Sequence, residues 1–143
     1  MLRIAVIVLA LAGAGAHAEQ SVSAGEFDIH YNALSTGVLD AGVAKAYGIT
    51  RSRTRALLNV TVLKKDMGLA GQPVRAVVKA TAANLSAQLR GIQMREIEER
   101  GAIYYIGEFP IADAETLRFQ IEVTPQGAAA PTNIRFEQQF FAD

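Results

Sequence analysis

The sequence predicts an all-β domain, an antiparallel sandwich of about seven strands with one short helix near residues 40–47. The strongest sign is Leu117 to Thr124, where Leu117, Phe119, Ile121 and Val123 alternate with Arg118, Gln120, Glu122 and Thr124. A strict period of two means a strand with one dry and one wet face. A sheet wetted on one side is antiparallel, because parallel sheets are covered on both faces and read as continuous apolar runs. Similar alternation recurs along the chain, with turn residues between the repeats.

The first eighteen residues read as a cleavable export signal and not as part of the fold. Arg3 is the positive start, Ile4 to Ala12 the apolar stretch, and Ala16-His17-Ala18 the small-x-small site before Glu19. That apolar run is shorter than the roughly 20 residues of a membrane span, and no second run follows it. Residues 19–143 then form a single domain of a size that buries a substantial core. The chain carries 14 basic and 14 acidic residues, and cleavage removes only Arg3. A balance this close to neutral opposes sequence-independent nucleic-acid binding, which needs a basic face. There is no cysteine, which excludes disulfides, thiol catalysis and cysteine-ligated metals. The expected compartment is the periplasm.

Taken in order, Glu26 to Asn32 is the first strand, with Phe27, Ile29 and Tyr31 dry and Asp28, His30 and Asn32 wet. Asp40 is a good helix N-cap, Val43, Ala46 and Tyr47 share a helical face, and Gly48 suits the left-handed position after the last turn. Arg51, Arg53 and Arg55 stand at alternate positions, so an extended chain puts all three on one side. Leu57 to Lys64 follows as a strand with Leu58, Val60 and Val62 inward, and Lys65-Asp66-Met67-Gly68 as a turn. Val74, Ala76, Val78, Ala80 and Ala82 mark the next strand, whose small residues suit a close approach by something bulky. Leu89 to Ile97 is a strand whose alternation slips after Met94, as at a bulge. Glu98-Glu99-Arg100-Gly101 is a hairpin loop leading into Ala102 to Phe109, where one of Tyr104 and Tyr105 is expected in the core and the other on the surface. Pro110 ends that strand, 117–124 is the next, and Asn133 to Phe141 the last.

Several of these blocks resemble a family of small exported bacterial proteins known as domain of unknown function 4426. They are His30-Tyr31-Asn32-Ala33, Val43 to Ile49 with Arg51-Ser52, Leu58 to Leu63, Arg95-Glu96-Ile97, Ala102 to Ile106, and Phe109-Pro110. The resemblance spans nearly the whole chain after the leader. It implies one exported domain from Gram-negative bacteria, an immunoglobulin-like sandwich, and no assigned activity.

Catalytic signatures are weak. His30 is the only histidine after the leader, too few for a zinc site, and no Gly-x-Ser-x-Gly elbow accompanies it. Glu96, Glu98 and Glu99 flank a hairpin, where a solvated turn is the plain reading. The sequons Asn59-Val60-Thr61 and Asn84-Leu85-Ser86 carry little weight in a bacterial strand protein. The expectation is therefore a binding or accessory module without catalysis or cofactor, taking a protein or a small anionic ligand in the periplasm. Its expected site is where the first strand, the helix and the arginine tract meet. There His30 and Asn32 hydrogen-bond the ligand, Arg51 and Arg53 hold its negative charge, and Tyr47 forms an apolar wall. Two alternatives stand beside it: a copper carrier using His30 with Met67 and Met94, since thioethers are soft ligands, and a cell-envelope enzyme with a loop-built site.

Overall fold

The computed structural model describes residues 19–66 and 71–142. The expected leader at 1–18, and Met67 and Gly68 of the expected turn, lie outside the described residues. Among the described residues there are ten strands: β1 (Gln20–Ala24), β2 (Phe27–Ser35), β3 (Arg55–Lys64), β4 (Gln72–Pro73), β5 (Ala76–Asn84), β6 (Leu89–Ile92), β7 (Arg95–Glu99), β8 (Ala102–Pro110), β9 (Glu115–Pro125) and β10 (Thr132–Phe140). A 3-10 turn (Thr36–Val38) and one α-helix, α1 (Ala41–Ala46), lie between β2 and β3. The strands form an antiparallel, immunoglobulin-like sandwich. One sheet has the order β1-β2-β3-β8-β7 with β4 beside β3, and the other the order β10-β9-β5-β6.

The alternating ladder at 117–124 is the middle of β9, and it pairs on both sides. Ile121 stands opposite Ile134 of β10 and Ala80 of β5. Its inward side chains Leu117, Phe119, Ile121 and Val123 are buried and meet Ile29, Leu58, Val60, Val62 and Phe109 from the other sheet in one core. Phe119 stacks on Phe136 with ring centres 4.5 Å apart and meets Phe109 edge-on at 5.3 Å. Ala82, fully buried, is the register neighbour of Phe119, so the small residue of β5 leaves room for the large ring beside it. The β7–β8 hairpin turns on Arg100 (φ 49°) and Gly101 (φ 86°), the two consecutive positive φ values that a tight hairpin turn requires.

Two expectations are corrected. Residues 89–97 are not one bulged strand but two strands in different layers: β6 pairs with β5 in one sheet and β7 with β8 in the other. The slip at Met94 marks the crossing, and a period of two has no means of saying which sheet a strand joins. Met94 and Ile92 close over Gly107 so tightly that a Cβ there would lie 2.6 Å from both. Second, Tyr104 and Tyr105 are both buried, at 6% and 5% exposure. Tyr105 belongs to the main core and Tyr104 to a smaller one on the outer face of the first sheet.

Candidate functional site

The outward side chains of the first sheet are not uniformly polar. Leu34 of β2, Leu57 of β3, Tyr104 and Ile106 of β8 and Ile97 of β7 share that face with Asn32 and Asn59, and such an apolar patch needs cover. The long β2–β3 connection supplies it. Asp40 caps α1, its Oδ1 accepting from the amides of Gly42 (2.8 Å) and Val43 (3.3 Å). Gly48 (φ 68°) reverses the chain after the last turn, and Leu39, Ala44 and Ile49 are pressed onto Leu57, Tyr104 and Ile106.

A helix of six residues is too short to hold by itself, so this one depends on packing and tethers. The Tyr47 hydroxyl donates to Glu99 Oε2 at 2.6 Å, and the Arg95 guanidinium donates to the Tyr47 carbonyl oxygen. At the other end of the connection Thr36 is fully buried. Its Oγ1 accepts from the Ser52 amide (2.9 Å) and donates toward the carbonyl oxygens of Ser52 (3.1 Å) and Arg55 (3.3 Å).

Between α1 and the sheet lies a cavity of about 40 Å³. Its floor is Asn32, Leu34, Leu57, Asn59, Ile97, Tyr104 and Ile106, and its roof is Leu39, Val43, Tyr47 and Ile49. Asn59 and Tyr104 are more than nine-tenths buried, yet Asn59 Oδ1 and the Tyr104 hydroxyl have no hydrogen-bond partner. Among the described residues these are the buried side-chain polar atoms in that condition. Each such group costs about 1–3 kcal/mol if it stays unpaired. The Asn59 amide nitrogen is engaged, donating to Asn32 Oδ1 at 3.4 Å. Burial pushes the Tyr104 phenol above its ordinary value and the Glu99 charge adds to this, while burial and then the Glu99 hydrogen bond do the same for Tyr47. Both phenols are therefore neutral donors near neutral pH.

The structure brings together only part of the expected site. Asn32 and Tyr47 line the cavity, Tyr47 as part of its roof. His30 is two residues from Asn32 on the same face of β2, but its Nδ1 meets Glu19 Oε1 at 2.8 Å and it does not line the cavity. Arg51 and Arg53 lie on the exposed 50–54 loop, Arg51 donating to the Gly37 carbonyl oxygen at 3.3 Å. The chain there is not extended, because the Thr54 amide donates back to Ser52 Oγ (3.1 Å) and turns the tract, so Arg55 alone enters β3. Asn59 and Tyr104 had no site role in the sequence reading. The available signal was the set of apolar residues at supposedly wet positions: Leu57, Ile97, Tyr104 and Ile106.

The other candidates are engaged elsewhere. The Tyr105 hydroxyl accepts from the Ala76 amide (2.8 Å) and donates to Glu96 (2.9 Å), and Arg75 pairs with Glu98 at 2.5 Å, so this cluster ties β5 to β7 and β8. Met94 packs against the main core, and Met67 lies outside the described residues. Among the described residues no three His, Asp or Glu side chains stand together as metal ligands, and no helix is long and apolar enough to cross a membrane.

A model of the family described as "Domain of unknown function (DUF4426)" matches residues 21–143. No curated protein matches the sequence. Among solved structures, a DUF4426 family protein from Pseudomonas aeruginosa is similar at 34% identity and a TM-score of 0.75, covering 87% of this chain and 96% of that one. FetP of uropathogenic Escherichia coli, expressed recombinantly in the periplasm, is similar at 10% identity and a TM-score of 0.62, covering 87% and 94%. A copper-bound variant of FetP gives the same identity and TM-score, covering 87% and 95%. At that identity the likeness to FetP is one of fold.

Proposed function

Since the chain belongs to the DUF4426 family, a domain family of unknown function, we propose that it is an exported, non-catalytic binding module of the periplasm. It seats a small molecule between α1 and the outer face of the first sheet. The observation that carries this reading is the covered cavity holding two buried, unpartnered polar atoms, Asn59 Oδ1 and the Tyr104 hydroxyl. A face meant only to be covered would be filled with apolar side chains. Here polar groups are spent at its centre, and only a guest or solvent satisfies them. The leader-like residues 1–18 and the fold shared with a protein expressed in the periplasm support the compartment. A soft-metal carrier has less support, because His30 is engaged by Glu19 and Met94 packs against the main core.

Native mass spectrometry of protein isolated from the periplasm of producing cells tests the reading. The folded protein should carry a low-mass adduct that is released on denaturation. Val43→Phe, which fills the cavity from its roof, should abolish the adduct while circular dichroism stays that of a sandwich. An adduct of the same mass and occupancy in the filled variant would place binding elsewhere and overturn the proposal.

A further inference from the structure

We infer that the guest of this cavity is an uncharged alcohol, an apolar body whose hydroxyl sits between Asn59 and Tyr104. The inference rests on the binding reading above and names the ligand class for the same cavity. Among the described residues no charged side chain lines it, and the Glu99 carboxylate is taken by the Tyr47 hydroxyl at 2.6 Å. An ammonium or carboxylate brought inside would leave its hydration and find no counter-charge, a cost of several kcal/mol. This departs from the expectation of an anionic ligand, since Arg51 and Arg53 are on the exposed loop and not in the lining.

The two free polar atoms also define what the guest must offer. Asn59 Oδ1 only accepts, whereas the Tyr104 hydroxyl both donates and accepts. One hydroxyl satisfies both, donating to Asn59 and accepting from Tyr104. A ketone, ether or ester lacks the donor and leaves Asn59 unpaired. The orientation of the Asn59 amide follows from its bond to Asn32, and a hydroxyl serves equally well if the amide is reversed, since it can accept from the amide nitrogen and donate to the phenol. Around that polar point the walls are Leu39, Val43, Ile49, Leu57 and Ile106, suited to an alkyl body. A volume of about 40 Å³ admits roughly three water-sized groups at 10–15 Å³ each, so the hydroxyl and one or two carbons lie inside and any longer body extends through the mouth.

Three probes with the same three-carbon chain test this by amide chemical shifts of the isotopically labelled protein: 1-propanol, propionate and propylammonium. Propanol should give saturable shifts in α1, β3 and β8, and the two ions should not. The double variant Asn59→Leu/Tyr104→Phe should weaken propanol about tenfold or more, the range expected for lost buried hydrogen bonds. Tyr104→Phe alone, with a smaller loss, serves if the double variant fails to fold. Saturation by either ion at the same amides with equal affinity would overturn the alcohol class and leave the binding reading intact. So would a crystal of propanol-soaked protein showing only an ordered water between Asn59 and Tyr104. Xenon-pressurised spectra separate the remaining failures: xenon shifts without propanol shifts overturn this inference alone, and the absence of both overturns the binding reading with it.

Discussion

Replacing Tyr47 by phenylalanine removes a single oxygen atom and should loosen α1 without loosening the sandwich. The lost contact is the 2.6 Å hydrogen bond from the Tyr47 hydroxyl to Glu99 Oε2, which joins the end of the helix to the rim of β7. Hydrogen bonds to charged groups contribute about 1.5–3 kcal/mol when fully desolvated. Both partners are only partly buried, so water replaces part of the lost bond and the net cost falls to about 1 kcal/mol. That is a factor of about five in the opening equilibrium of the segment. Because α1 is too short to persist alone, its amides exchange by local opening. The Tyr47 and Ile49 amides, which donate to the Val43 and Ala44 carbonyl oxygens, report that opening directly. Native-state hydrogen exchange should show both accelerating about fivefold, while amides of β9 keep their rates. Equal acceleration in α1 and β9 would refute the reasoning, because it would mean that cover and core open as one unit.

Gly107→Ala should cost about 1–3 kcal/mol, since the new Cβ would stand 2.6 Å from Met94 Sδ and 2.9 Å from the Gln93 carbonyl oxygen at the crossing between layers; an unchanged urea midpoint would contradict it. Tyr47, Tyr104 and Tyr105 all hold their protons above the ordinary value of 10.0, chiefly through burial. Above pH 10 the unfolded chain has lost those protons while the folded one still binds them, so stability should fall as pH rises, and a stability profile flat to pH 11 would contradict this. On the acid side Arg90, hydrogen-bonded to Glu115 at 2.9 and 3.0 Å, holds that carboxyl below its ordinary 4.5. Its stabilisation is present above pH 4.5 and lost below it, and Glu115→Gln should flatten that part of the profile.

Most of the longer strands were legible because their signal is local. In β9 each inward residue is apolar and each neighbour polar, and the tertiary structure leaves that division intact. The helix was legible for the same reason, with Asp40 at one end and Gly48 at the other supplying their own capping chemistry. The candidate site was half legible. Asn32 and Tyr47 were singled out as polar and aromatic residues in distinctive blocks, whereas Asn59 looked like an ordinary outward residue of a strand.

What hid Asn59 and Tyr104 was the assumption that an outward face is wet. Alternation along a strand says only that two faces differ, and both faces of the first sheet carry cover, one from the second sheet and part of the other from α1 and its connection. The sequence by itself determined the all-β class, most of the longer strands, the short helix and the absence of thiol chemistry. Only the tertiary structure decided that β6 and β7 separate into different layers, that the arginine tract turns away into solvent, and that two polar side chains are enclosed beneath the helix. Those outcomes depend on residues from Asn32 to Tyr104 meeting across distances in sequence that no local period records, and burial is a property of the assembled layers.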